Sequence, residues 1–152
     1  MDLIFSTATF HWIKDHDRLF RRLAQALKPQ GRLVAQCGGK GNTAQTRNAM
    51  EQGMGEGRFP KFFTGLEEPW NFAAAKTTKA RLKAAGFGEV KNLAARGAHG
   101  VRSDGRAGRF LKTVVLGHRL ERLPESERGN TSLLWLPHVS HTEESSSWTT
   151  SA

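Results

Sequence analysis

Gly39-Lys40-Gly41-Asn42-Thr43-Ala44 is the first stretch whose residue types and spacing could do chemistry. It follows a strand-like run and fits the G-x-G-x-x-A pattern, in which glycines let backbone approach a pyrophosphate at a helix N-terminus. That pattern also needs a second strand ending in an acid about 20 residues on. Residues 58–65 read Arg-Phe-Pro-Lys-Phe-Phe-Thr-Gly and supply neither, so the turn reads as an ordinary glycine-rich loop. Cys37, just before it, is the one cysteine, which excludes a disulfide framework within the chain and a cysteine-based zinc cluster. As a nucleophile it would need a base in reach, and none of the six histidines is local to it. A buried thiol is the simpler reading. His138 and His141 have a metal-compatible spacing but lie in a polar tail with no third ligand nearby, so no metal site is expected. Arg96, Arg102, Arg106 and Arg109 alternate with glycines, a composition that can grip phosphate backbones. No aromatic residue interleaves them for base stacking, and nucleic acid stays a secondary partner class.

The 152 residues leave room for one modest domain. Lys and Arg number 23 against 14 Asp and Glu, a formal charge of +9. No apolar run approaches the roughly 20 residues of a membrane span. Met1-Asp2-Leu3-Ile4-Phe5 lacks the basic start and small-residue cleavage site of a signal peptide. These features point to a soluble protein of the cytoplasm, with the oligomeric state open.

The elements that must position any site read as follows. Residues 2–5 form a short apolar strand closing into Ser6-Thr7-Ala8-Thr9. Residues 15–28 read as an amphipathic helix, with Leu19, Phe20, Leu23 and Leu27 on one face, an Asp15 or Asp17 cap, and Pro29-Gln30-Gly31 as its stop. Residues 32–37 form a second strand. A glycine-weakened helix over 43–55 and an aromatic-rich irregular stretch over 58–75 come next. Residues 77–85 read as a helix with a Thr cap and Gly86 past its end, and Phe87 to Leu93 as a third strand. The alternation predicts an α/β sheet with parallel strands. Residues 95–109 read as a basic Gly/Arg-rich loop, 110–123 as a stretch of helical spacing that Pro124 ends, within a helical segment bounded at 110–128, and 129–152 as a flexible Ser/Thr-rich tail.

Taken together, Asp2-Leu-Ile-Phe-Ser-Thr-Ala-Thr-Phe-His-Trp12, the Asp-led helix and Leu27-Lys28-Pro29-Gln30-Gly31-Arg32-Leu33-Val34 resemble the second half of class I S-adenosylmethionine-dependent methyltransferases. In that family an acid-led fourth strand, a small-residue turn with a His-Trp or Gln-Trp pair, a helix and Leu-Lys-Pro-Gly-Gly lead into the fifth strand. Pro69-Trp70-Asn71-Phe72, and Arg81-Leu82-Lys83-Ala84-Ala85-Gly86-Phe87 before the sixth strand, resemble the methyltransferase type 11, trans-aconitate methyltransferase-like branch. Residues 110–124 look like the cap helix of the same group. The resemblance spans roughly residues 1–94 and 109–128. Gln30 departs from it, standing where the first Gly of the turn is usual.

The resemblance implies a partial Rossmann-like methyltransferase sheet. Its fourth to sixth strands and flanking helices lie in 1–94, and the N-terminal half of the domain is missing. The family's cofactor-binding glycine-rich motif and ribose-binding acid would precede residue 1. The implied function is methyl transfer from S-adenosylmethionine to a small-molecule acceptor, a carboxylate by the branch resemblance, with the 152 residues alone expected to be inactive. Ser6, Thr7, Ala8 and Phe10 would then bind the cofactor. His11 and Trp12 would be the catalytic pair, Trp12 shielding a sulfonium and His11 accepting a proton or orienting the acceptor. Phe62, Phe63 and Trp70 would cover the acceptor side. The residues themselves equally allow core packing for Phe10 and Trp12 and a structural role for His11. The competing functional reading is a non-catalytic basic module that binds nucleic acid or a partner protein.

Overall fold

A computed structural model describes residues 1–55, 59–93, 113–114, 116–128 and 146–151. The chain divides into two units. The first is residues 1–42, 68–97 and 144–152, and the second is residues 43–67 and 98–143.

The first unit is built on a four-stranded sheet of order β1-β2-β4-β3. Strand β1 (Leu3–Thr7) pairs in parallel with β2 (Arg32–Cys37), Phe5 opposite Val34 and Thr7 opposite Gln36. Strand β3 (Glu89–Leu93) runs in the same direction, separated from β2 by β4 (Ser146–Ser151), which is antiparallel to both. The sequence reading assigned 146–151 to a flexible tail, and the structure replaces that with a strand. Ser-Ser-Trp-Thr-Thr-Ser has no apolar run to announce it, yet Thr and Trp favour extended backbone, and both edges of this strand find ladder partners. No described strand pairs along the outer edge of β1.

Helix α1 (His16–Ala26) starts where Asp15 accepts the Arg18 amide at 2.9 Å, satisfying one of the helix's free N–H groups. Its apolar stripe seats Phe20, at 1 % exposure, against Leu33 and Ala35 of β2. Helix α4 (Ala75–Ala84) begins two residues before the expected Thr cap, with Ala74 at its N-terminus and no side-chain cap. Its end follows the expectation. Gly86, at φ +101°, gives its amide to the Lys83 carbonyl, and Phe87 gives its amide to Leu82 at 3.1 Å, with both Phe87 and Leu82 buried. This is the Schellman arrangement with its hydrophobic contact. Arg81 of α4 pairs with Asp17 of α1 at 3.4 Å. The opposite side of the strands is left open around Leu3 and Phe5, which are 57 % and 71 % exposed.

The turn between α1 and β2 carries strain. Gln30 sits at φ +65°, a left-handed conformation that costs a non-glycine residue roughly 1 kcal/mol. Gln30→Gly is therefore expected to stabilise the protein by about 0.5 kcal/mol, part of the relief being offset by the greater freedom of glycine in the unfolded chain. An upward shift of the urea midpoint at constant slope is the expected result.

The second unit contains α2 (Ala44–Gly55), the single turn α3 (Pro60–Phe63) with Pro60 at its first position, and α5 (Gly117–Leu120). A long helix was expected over 110–128. Among the described residues of that span, helical backbone occurs at 113–114, in α5 and at 125–128, with Pro124 between the last two because proline cannot continue a helix. The Gly/Arg-rich stretch 95–109, His138 and His141 lie outside the described residues. Among the described residues no helix is long and apolar enough to cross a membrane.

Candidate functional site

The carboxyl ends of β1 and β2 are adjacent because the strands are parallel, and this end of an open α/β sheet is where ligands bind. Beyond Thr7, the Ala8 amide extends the ladder to the Gln36 carbonyl at 2.8 Å. Ala8 itself adopts φ +52°, an uncommon conformation for a residue with a Cβ. That bend ends the strand and turns the chain into a 3-10 turn over Phe10–Trp12. Around it the Thr9 hydroxyl donates to the Thr7 carbonyl at 2.9 Å, and the Thr7 hydroxyl to Gln36 Oε1 at 3.1 Å.

The three aromatic residues of the turn go different ways. Phe10 is 6 % exposed and meets Phe20 edge-on with centroids 5.8 Å apart. Its ring lies in the core, where it anchors the turn. Trp12 remains 42 % exposed. His11 is half-buried, and its Nδ1 accepts the Gly38 amide from the end of β2 at 3.2 Å. An amide can only donate, so Nδ1 carries no proton and the neutral ring holds its hydrogen on Nε2.

A strap from residues 68–73 closes over this turn. The Asn71 amide donates to the His11 carbonyl at 2.7 Å, and its side chain to the Lys14 carbonyl at 2.7 Å. The Lys14 ammonium reaches the Glu68 carbonyl, and the Lys40 amide the Ala73 carbonyl at 3.2 Å. The rings then form a closed circuit. His11 stacks on Phe72 at 5.3 Å, Phe72 on Trp70 at 5.8 Å, and Trp70 meets Trp12 edge-on at 5.7 Å. Trp12 returns to His11 at 5.6 Å. Of the site residues singled out in the sequence, Ser6, Thr7, Ala8, Phe10, His11, Trp12 and Trp70 share this unit. Phe62 and Phe63 belong to the second unit, where both are half-buried. Gly38, Asn71 and Phe72 were not picked out as functional. The Pro69-Trp70-Asn71-Phe72 run was the available signal, but its hydrogen bonds to a turn some sixty residues earlier leave no local trace.

Cys37 is buried in the sheet's core cluster, as a structural thiol would be. A cavity of about 10 Å³ beside it, lined by Phe10, His16, Phe20 and Leu33, has space for one water and none for a cofactor.

His11 and His16 both titrate below the ordinary value of 6.5. Burial is the main cause for each. The second histidine adds to it for His11, and the Arg81 charge adds to it for His16 against the opposing Phe10 carbonyl, Asp17 and Asp15. His16 Nε2–H donates to that carbonyl at 2.9 Å, and its buried Nδ1 has no hydrogen-bond partner among the described residues. Folding thus favours the neutral rings, and the unfolded chain binds more protons once the pH falls below 6.5. This contribution to stability is complete above that value and is lost as the pH drops from it toward the folded-state values. Urea midpoints measured on either side of pH 6.5 should be lower on the acid side, and replacing His16 by Gln should flatten the dependence.

Comparison with known proteins gives one direction. A family profile described as "Methyltransferase domain" matches residues 1–35. The chain is similar to a malonyl-[acyl-carrier protein] O-methyltransferase of Calditerrivibrio nitroreducens, 35 % identical over 78 residues, covering 51 % of this chain and 32 % of that protein. It is also similar to an uncharacterized methyltransferase, C70.08c, of Schizosaccharomyces pombe, 28 % identical over 90 residues, 57 % of this chain and 35 % of that one. The chain thus spans about a third of the length of the curated relatives it matches. Among solved structures, it superposes over its full length on 33 % of a Haemonchus contortus phosphoethanolamine N-methyltransferase 2 in complex with S-adenosyl-L-methionine, at a TM-score of 0.51 and 16 % identity. It does so on 55 % of the cyclopropane synthase MmaA2 of Mycobacterium tuberculosis, at 0.50 and 18 %. At these identities the superpositions establish the fold.

Proposed function

We propose, from the premise that this chain belongs with the class I S-adenosylmethionine-dependent methyltransferases, that residues 1–94 form the C-terminal half of a domain that methylates a small-molecule acceptor. In this reading β1, β2 and β3 are the domain's fourth, fifth and sixth strands. The observation that carries it is the site at the ends of β1 and β2, where a bent small-residue strand end runs straight into an aromatic circuit with one exposed tryptophan. That arrangement fits the methionine end of the cofactor. Ser6, Thr7 and Ala8 carry short side chains, so their backbone is approachable. Trp12 offers an exposed indole, and an aromatic face favours a cation while displacing water. When bound, S-adenosylmethionine supplies an electrophilic methyl group on a sulfonium.

Methyl transfer depends on alignment more than on acid–base help. The chain's task is then to hold the reacting groups in line and keep water out. Trp12 and Trp70 wall the site, and the Asn71 strap keeps their circuit closed. The relative named as an O-methyltransferase supports an oxygen acceptor, in line with the carboxylate that the branch resemblance implies.

Binding by this chain alone should be weak. Apart from the 39–44 turn, which follows β2 without the acid it would need, no dinucleotide-type glycine motif occurs in the 152 residues. Without such contacts to the adenosine, each worth on the order of 1–3 kcal/mol when charge-assisted, affinity should lie near the millimolar range and methyl transfer should be absent. Calorimetric titration with S-adenosylhomocysteine tests the reading: weak binding abolished by Trp12→Ala supports it, and binding indifferent to Trp12 refutes it.

A further inference from the structure

We propose that the Gly38 amide and the Phe72 ring are positioning groups that lock His11 as a one-way hydrogen-bond donor, so that the site selects an acceptor presenting an unprotonated oxygen over one presenting an ammonium group. The inference rests on the methyl-transfer reading and deepens it, because it assigns a direction to the one imidazole of the aromatic circuit.

The ring has two nitrogens, and the fold has committed one of them. Nδ1 accepts from Gly38 at 3.2 Å. The Phe72 ring, stacked at 5.3 Å and inclined by 25°, restrains the imidazole from turning out of its plane. The Asn71 amide on the His11 carbonyl fixes the backbone beneath it. Gly38 is also the one residue type that permits the arrangement. A Cβ built there would run into Asn42 Nδ2 and lie 2.7 Å from the Phe72 ring, so a side chain at this position would displace both from their present places beside His11's partner amide. What remains is Nε2–H, for which no described residue is an acceptor. Protonating Nδ1 would set two donors against each other at Gly38, and burial already disfavours the cation. His11 therefore serves as a neutral donor and not as a general base. A donor of this kind complements a carboxylate or carbonyl oxygen and repels an ammonium.

The test uses the whole chain, ¹⁵N-labelled, with sodium butyrate and n-butylamine as probes that share an alkyl tail. Long-range ¹H–¹⁵N correlation should show His11 as the Nε2–H tautomer, and butyrate but not butylamine should move its resonance. His11→Phe, which keeps the stack, should weaken butyrate binding about tenfold, the loss of one charge-assisted hydrogen bond. His11→Gln should restore it to within about threefold, since the amide oxygen can accept from Gly38 while the amide nitrogen donates. Phe72→Leu should leave His11 in place but mix its tautomers. An Nδ1–H tautomer in the wild type, equal response to both probes, or full butyrate affinity in His11→Phe would each overturn the proposal. Binding of S-adenosylhomocysteine separates the two layers. If it fails while the tautomer and probe selectivity hold, the methyl-transfer reading falls and the oxygen-selective donor stands. If it succeeds while selectivity is absent, the donor assignment alone falls.

Discussion

Replacing Phe20 by alanine should cost about 3–5 kcal/mol, a large part of the roughly 5–15 kcal/mol that holds a domain of this size together. Phe20 is 1 % exposed and is the residue on which α1, β2 and the Phe10 anchor meet. The loss has two parts, the transfer free energy of the ring and the void left where Phe10 and His16 cannot collapse far enough. The effect should reach the site, since Phe10 begins the turn that presents His11 and Trp12. Phe5→Ala is the control. Its ring is as large but 71 % exposed, and its removal should cost less than about 1 kcal/mol. Urea unfolding of the two variants measures the difference directly. Equal costs would mean that the side of the sheet holding Leu3 and Phe5 is covered in solution.

Gly31→Ala should destabilise by about 1–3 kcal/mol, the usual cost of overpacking a closed site. A Cβ at Gly31 would stand 2.8 Å from the Lys28 carbonyl oxygen and 3.0 Å from that of Met1. Both oxygens are held. The Met1 carbonyl accepts the Lys28 amide at 2.9 Å, and the Lys28 carbonyl accepts the Gly31 amide at 2.8 Å. Neither can yield without opening the junction between α1 and β1. The neighbouring Gln30→Gly substitution has the opposite sign, because there the strain lies in the backbone conformation and not in the surroundings. A thermal melt of the pair should move in opposite directions from the wild type. Two shifts of the same sign would show that the turn's geometry is set by something other than these contacts.

Where an element is decided by its own residues, it could be read from the sequence. Asp15 before a stripe of Leu19, Phe20 and Leu23 marks α1, and Gly86 after Leu82 marks the end of α4, because capping and periodicity act within a few residues. The short apolar run at 2–5 and the run at 32–37 mark two strands, which the structure pairs in parallel over 3–7 and 32–37. The rest depends on distant partners. Strand β4 has a polar sequence and is extended because β2 and β3 leave a strand-wide gap for it. Phe10, His11 and Trp12 are consecutive aromatic rings with no local reason to differ. One is taken into the core by Phe20, one is held by Gly38 and Phe72, and one is left out. The candidate site was thus legible as a segment, Ser6 to Trp12, while the strap of Asn71 and Phe72 and the commitment of His11 Nδ1 were not.

The central claim is that the loop ends of β1 and β2 receive the methionine end of S-adenosylmethionine. A ¹H–¹⁵N map of the full chain titrated with S-adenosylhomocysteine tests it most directly. The account predicts saturable shifts, at about millimolar affinity, concentrated at Ser6–Trp12, Gly38 and Trp70–Phe72. Shifts confined to residues 44–63, or none at Ser6–Trp12 when the ligand is well above that concentration, would contradict it.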